Sequence, residues 1–220
     1  MIAHVCRAAV RVAGVDAVVV ATDDDRVMRA VEGTGAIGRM TASTHRTGTD
    51  RVAEVAAALN CEIVVNLQGD EPFVQPEMLH ATIAPLHEDA SLGMSTVCCP
   101  ITDDADLANP NVVKLVRDAR GRALYFSRSP IPFVRGPRPT LLKHIGMYGY
   151  RRTFLLHFAQ LPPTPLEQAE SLEQLRALEH GYPIHAALTE HDSIGVDTPD
   201  DLERARHLLG AHVRRHEPAN

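Results

Sequence analysis

Basic residues do not outnumber acidic ones in this 220-residue chain: 22 Lys and Arg stand against 28 Asp and Glu, a formal charge of −6. Without a basic footprint, no nucleic-acid partner is expected. Long apolar runs are also missing. None approaches the ~18 residues that a membrane span requires, so no membrane association is expected, and Met1 opens neither a signal nor a transit pattern. A cytoplasmic protein is the expectation. Cysteine is scarce: Cys6, Cys61, Cys98 and Cys99 lack the paired spacing of a metal site and read as reduced structural thiols, Cys98 and Cys99 on opposite faces of one strand. There is no internal repeat. At 45% hydrophobic, the chain has enough apolar mass to bury a full core as one domain over residues 1–220.

The most informative stretch is Val64-Val65-Asn66-Leu67-Gln68-Gly69-Asp70-Glu71-Pro72. Ile63 to Leu67 is short, apolar and partly β-branched, as in strands buried on both faces of a parallel sheet. Gly69 permits close backbone approach to a ligand, and Pro72 reads as a helix start. Asp70 and Glu71 then fall at the carboxyl end of the strand, where open α/β sheets bind ligands. Two carboxylates there suit Mg²⁺, which takes one or two protein oxygens and fills its shell with phosphates and water. A polar turn with Glu71 near an N-cap accounts for the same residues. A second carboxylate sits before a helix in Gly195-Val196-Asp197-Thr198-Pro199-Asp200-Asp201-Leu202. Thr198 reads as N-cap, Pro199 as the first helical residue, and Asp200 and Asp201 as first-turn acids, which leaves Asp197 outside the cap and able to reach a metal.

Helix and strand alternate around these segments. Ile2, Val5, Cys6, Ala9, Val10 and Ala13 form a helical stripe closed by Gly14, Ala17 to Ala21 reads as a strand, and helices are expected over 25–32 and 50–59. Such βα repeats predict an α/β fold with a mostly parallel sheet and helices on both faces. An antiparallel pair over 112–116 and 123–127, turning at 118–121, would extend that sheet. Residues 130–139, with four prolines, read as a surface loop. Glu167, Glu170 and Glu173 recur at helical spacing, with Leu172, Leu175 and Leu178 on another face.

Several blocks, taken in order, resemble one known family. They are Val20-Ala21-Thr22-Asp23, Thr47-Gly48-Thr49-Asp50-Arg51, Gln68-Gly69-Asp70-Glu71-Pro72 and Asn109-Pro110-Asn111-Val112-Val113-Lys114. They continue with Ala123-Leu124-Tyr125-Phe126-Ser127-Arg128, His144-Ile145-Gly146-Met147-Tyr148-Gly149-Tyr150-Arg151, Pro165-Leu166-Glu167, Leu172-Glu173-Gln174-Leu175-Arg176, and the Gly195 to Leu202 segment. The sequence is similar to the 3-deoxy-manno-octulosonate (Kdo) cytidylyltransferases over roughly residues 2 to 209. The resemblance implies a Rossmann-like nucleotide-diphospho-sugar transferase fold. It further implies CTP and Kdo as substrates, CMP-Kdo and pyrophosphate as products for lipopolysaccharide biosynthesis, Mg²⁺ as cofactor, and a homodimer.

Residue by residue, the same resemblance makes Asp70 and Asp197 the metal-binding and catalytic carboxylates. Thr22, Asp23, Gly48, Thr49, Arg51 and Gly69 become nucleotide contacts, and Gln68, Arg128, His144, Tyr148, Glu170 and Gln174 sugar contacts. The family also carries an N-terminal strand and an Arg/Gly/Lys phosphate loop ahead of the first helix. Neither stands in these residues, so the chain is read as N-terminally incomplete relative to the family, with a start methionine placed too late. Little or no turnover by the 220 residues alone is therefore expected. Plainer readings coexist with these roles: Arg128 as a surface arginine before Pro130, His144 as a capped or core histidine, Asp23 to Asp25 as N-caps, and the glutamate row as a solvated helix face. A cytidylyltransferase for another acidic sugar, or a noncatalytic paralogue, fits the same motifs.

Overall fold

The computed structural model describes residues 1–193 and Glu203. Asp197 and the cap around it lie outside the described residues. The chain opens with α1 (Ile2–Val10), β1 (Val19–Thr22), α2 (Asp25–Val31) and β2 (Ile37–Met40), and β1 and β2 pair in parallel. Val5, Cys6, Ala9 and Val12 are the buried positions at the start, following the three-to-four-residue repeat of one helix face. Val10 and Ala13 of the expected stripe are exposed instead, because they fall off that face. Asp24 caps α2, its Oδ1 accepting from the Arg26 N–H at 2.7 Å.

Next come α3 (Gly48–Ala57), β3 (Ile63–Leu67), α4 (Pro76–Glu88) and β4 (Met94–Pro100). The helix α3 starts two residues ahead of the expected one, because Thr47 caps it and accepts from the Asp50 N–H at 3.1 Å. Pro72 does not start a helix. The chain turns after β3, with the Glu71 N–H donating to the Gln68 carbonyl at 3.3 Å, and then delivers Val74 into the core, so helix formation waits for Pro76.

A short helix, α5 (Asp104–Ala108), leads to the hairpin of β5 (Lys114–Arg117) and β6 (Ala123–Ser127), antiparallel as expected. The long β7 (Leu142–Arg151) is followed by α6 (Arg152–Phe158), α7 (Pro165–Glu170), α8 (Gln174–Glu179) and β8 (Ile184–Leu188). The strand order is β6-β5-β7-β4-β8, with β3 also paired to β7. β4 lies antiparallel to β7 along residues 142–150 of the latter, while β3 and β5 share the opposite edge, at 147–151 and 142–143. Tracing these pairings, β3, β4, β5 and β8 run one way, and β7 and β6 run the other.

Helices cover both faces of this sheet, as the alternation along β4 records. Met94 and Cys98 enter a core with Ala53 and Ala56 of α3, Leu155 and Phe158 of α6, and Leu175 of α8. Val97 and Cys99 enter a second core with Met78 and Leu79 of α4 and with Ile145 and Met147. The two neighbouring cysteines thus face opposite ways, and burial pushes their thiols up to about 11 and about 12. Among the described residues β1 and β3 each have one strand partner, β2 and β7 respectively. Both border a cavity of about 800 Å³ that is flanked by α1 on one side and α3 on the other.

Candidate functional site

Because β3 stops at Leu67 opposite Met147, and β5 begins at Lys114 opposite Lys143, no strand among the described residues pairs this edge of β7 at Ile145 and Gly146. The β4–β7 register shifts at this point, and His144 and Tyr148 lie together on the side of Phe126, their rings 5.2 Å apart. Asp70 and Glu71 follow the end of β3 and are both half-buried, and Glu71 reaches this opening. Glu71 Oε1 lies 3.6 Å from where a Cβ on Gly146 would stand, and its Oε2 accepts from the Ser193 hydroxyl.

A polar chain lies over the open stretch. The Asn66 amide donates to Thr49 Oγ1 at 3.4 Å, and the Thr49 hydroxyl donates to Glu173 Oε2, which joins β3, α3 and the residue before α8. Burial pushes the Glu173 carboxyl up, and the Thr49 hydroxyl only partly offsets this. Among the described residues Glu173 Oε1 and Gln174 Nε2 are buried with no hydrogen-bond partner, Glu173 Oε1 having only the Arg176 guanidinium at 3.7 Å. Such atoms cost about 1–3 kcal/mol each if nothing satisfies them, so they mark places where a polar ligand gains. Tyr148 adjoins this group, its phenol pushed up first by burial and then by the Glu173 charge. His144 stands 5.2 Å from the Tyr148 ring, shares a hydrogen with Thr96 Oγ1 at 2.8 Å, and is pulled down to about 3 by burial. It sits in mid-strand as a neutral ring rather than at a strand start.

Arg128 and Glu170 form the second half of the site. Glu170 Oε1 accepts from the Ser127 hydroxyl at 2.6 Å and its Oε2 from the Arg128 N–H at 2.9 Å, so this carboxylate braces the end of β6. Arg128 Nε donates to the Glu170 carbonyl at 2.7 Å, one terminal nitrogen to the Pro110 carbonyl at 3.0 Å, and the other to the Ser171 carbonyl at 3.4 Å. A guanidinium has five N–H groups, so among the described residues one remains on each terminal nitrogen, the number an end-on carboxylate takes.

Of the residues assigned to the nucleotide, Thr22, Gly48, Arg51 and Gly69 border the 800 Å³ cavity, as does Gln68. Gln68 lies against the start of α3, 3.8 Å from a Cβ placed on Gly48. Thr22 Oγ1 accepts from the Asp24 N–H at 3.1 Å. Asp23 pairs with Arg51 at 3.1 Å, and Arg51 also donates to Thr41 Oγ1 at 2.6 Å, so these two residues hold β1 to α3. A Cβ on Gly69 would meet Ile2 at 3.2 Å, so α1 is what approaches closely there. Asp197 lies outside the described residues. Among those described, no group of three or more His, Cys, Asp or Glu is placed to hold a metal ion. Mg²⁺ needs only one or two hard carboxylate oxygens when phosphates complete its shell, and Asp70 meets that requirement.

Sequence reasoning passed over Glu173, Asn66, Thr96 and Lys114. Glu173 was hidden in what looked like a solvated row, and Lys114 in a motif with no chemistry assigned to it. The family model described as cytidylyltransferase matches residues 1–190. The 3-deoxy-manno-octulosonate cytidylyltransferase of Geobacter sulfurreducens is 51% identical over 221 residues, covering 95% of this chain and 88% of that one. Its counterpart in Pelobacter propionicus is 51% identical over 223 residues, covering 96% and 88%. A solved CMP:2-keto-3-deoxy-manno-octonic acid synthetase complexed with CTP superposes with a TM-score of 0.90 at 44% identity, covering 96% of this chain and 88% of that one. The 4-diphosphocytidyl-2C-methyl-D-erythritol synthase of Anaerococcus prevotii shares the fold alone, at 17% identity and a TM-score of 0.60 over 95% and 89% of the two chains. With half its residues shared along nearly its full length, this chain belongs to the cytidylyltransferases, in the 3-deoxy-manno-octulosonate cytidylyltransferase family.

Proposed function

We propose that the protein transfers the cytidylyl group of CTP to Kdo, giving CMP-Kdo and pyrophosphate for lipopolysaccharide biosynthesis. The observation that carries this reading is the unspent polar capacity around one opening of the sheet. Among the described residues Arg128 keeps two N–H groups for a carboxylate, Gln174 Nε2 lies buried without a hydrogen-bond partner, and Glu173 Oε1, 3.7 Å from Arg176, has no hydrogen bond of its own to withhold from a sugar hydroxyl. An acidic polyhydroxy sugar has the complementary groups. His144 and Tyr148 add neutral hydrogen-bonding groups, and Glu170 acts through Arg128 rather than on the sugar.

In this reaction the anomeric hydroxyl oxygen of Kdo bonds to the α-phosphorus in line as the bond to pyrophosphate breaks, so positioning and charge neutralisation supply the catalysis. Asp70, together with Asp197, would hold a Mg²⁺ ion, which when bound neutralises phosphate charge and lowers the pKa of the attacking hydroxyl. Thr22, Gly48, Arg51 and Gln68, which border the cavity, would contact the nucleotide, and Glu71 would orient Asp70. A homodimer, which the family likeness supports, and a cytoplasmic location belong to the same proposal.

The test is kinetic. With CTP, Kdo and Mg²⁺, ³¹P NMR should show pyrophosphate and a new phosphodiester only when both substrates are present. Arg128→Lys keeps the charge and loses the fork, so KM for Kdo should rise ~10-fold, the factor for about 1.4 kcal/mol, with KM for CTP unmoved. A rise in KM for CTP instead would remove Arg128 from the sugar pocket. Asp70→Asn should abolish turnover at an unchanged melting temperature, and retained turnover would exclude Asp70 as a ligand.

A further inference from the structure

Lys114 opens β5, yet its side chain is fully buried, an uncommon place for an ammonium group. All three of its N–H groups are spent on backbone carbonyls. Nζ donates to Asn109 O at 2.9 Å, Val112 O at 2.7 Å and Arg128 O at 2.5 Å. Two of these carbonyls belong to the exposed Asn109–Val112 turn and the third to Arg128 itself. The turn in turn supports Arg128, whose terminal nitrogen donates to the Pro110 carbonyl at 3.0 Å. A buried charge is tolerated only when its hydrogen bonds are satisfied, so the ammonium draws the turn and the end of β6 onto one point.

We infer that Lys114 is a positioning residue for the sugar carboxylate: by gathering the carbonyls of Asn109, Val112 and Arg128, it fixes the backbone on which the Arg128 guanidinium rests and aims its two remaining N–H groups. This rests on the reading of Arg128 as the carboxylate fork. Without Lys114 the Pro110 carbonyl is no longer held against the guanidinium, the Arg128 carbonyl loses its donor, and the fork loses its direction. Loss of the fork's direction should then cost as much as loss of the fork.

A double-mutant cycle on the Kd for Kdo, measured by titration calorimetry on the full chain beside the Kd for CTP, tests this. Lys114→Met should weaken Kdo binding ~10-fold, as Arg128→Lys does, and leave CTP binding within about twofold. The double variant should bind Kdo no more than about twofold worse than Arg128→Lys alone. Pro110→Gly, in the exposed turn, is the second variant, because it removes the rigid carbonyl support without emptying a buried site. It should weaken Kdo binding several-fold with CTP binding unchanged. If Arg128→Lys weakens Kdo binding while Pro110→Gly does not, the inference fails and the carboxylate reading survives. Multiplied losses in the double variant, or equal losses for Kdo and CTP in Pro110→Gly, also overturn it. An Arg128→Lys variant with undiminished Kdo binding removes both the reading and the inference.

Discussion

A histidine packed between rings and a strand cannot easily carry charge, and this decides what His144 can offer a ligand. Phe126 meets it edge-on at 5.1 Å and Tyr148 at 5.2 Å, with Thr96 Oγ1 on its Nε2. Burial pulls the folded-state value down to about 3 from 6.5. The unfolded chain takes up this proton at a higher pH than the native chain does. The stability associated with a neutral His144 is therefore fully present above pH 6.5 and is lost as pH falls through the interval toward 3. At neutral pH the ring supplies a hydrogen bond to a hydroxyl and no charge to a carboxylate, which leaves that task to Arg128. Nitrogen-detected NMR titration should show the His144 ring neutral at pH 5. A midpoint near 6.5 would contradict its burial.

At the scale of elements, the glutamate row shows where local pattern stops being enough. Glu167, Glu170 and Glu173 fit a single helix by spacing, but Ser171 takes φ 51°, ψ 49° and ends α7, and α8 begins at Gln174. The break is what gives the three acids separate tasks: Glu170 braces Arg128, Glu173 faces Thr49, and Glu167 turns inward to Arg176. That last pair is bidentate, at 2.9 and 2.5 Å, with the Arg176 side chain only 6% and the Glu167 side chain 11% exposed, and the guanidinium lies 5.2 Å from the Phe158 ring centre. Arg176→Met would leave a buried carboxylate unpaired, so urea unfolding should register a loss of about 3–5 kcal/mol. A loss under about 1 kcal/mol would show that Glu167 finds water or another partner. By contrast, β3 was legible because its apolar run is bounded by Gly69, and the β5/β6 hairpin because a polar turn with Gly121 separates its strands. Other strands were not, β2 and β7 among them. β2 carries a glycine and faces solvent along most of its length, and β7 is interrupted by Gly146 and Gly149, so its extent is set by β3, β4 and β5 rather than by its own residues.

For the whole molecule, the sheet distributes support unevenly. β7 is held by three strands and two cores, whereas β1 and β2 have each other as strand partners among the described residues, and the 800 Å³ cavity separates β1 from β3. Few packed contacts imply low local opening energies. Amide hydrogen exchange should therefore be complete in 19–22 and 37–40 well before 94–100 and 142–150, and equal protection would mean that the cavity is filled in solution. The motifs proposed as catalytic stand out in the sequence because such chemistry calls for carboxylates and an arginine at strand ends, while the contacts of Lys114, Thr49, Asn66 and Glu173 depend on chain crossings that no local pattern records. The central claim is that this opening selects an acidic sugar by its carboxylate, and the most direct test compares Kdo with its methyl ester, the same sugar without the charge. Titration calorimetry with CTP present should give a Kd for Kdo ~10-fold or more below that of the ester, a gap that Arg128→Lys closes. Equal affinity for acid and ester in the unmodified protein would contradict the account.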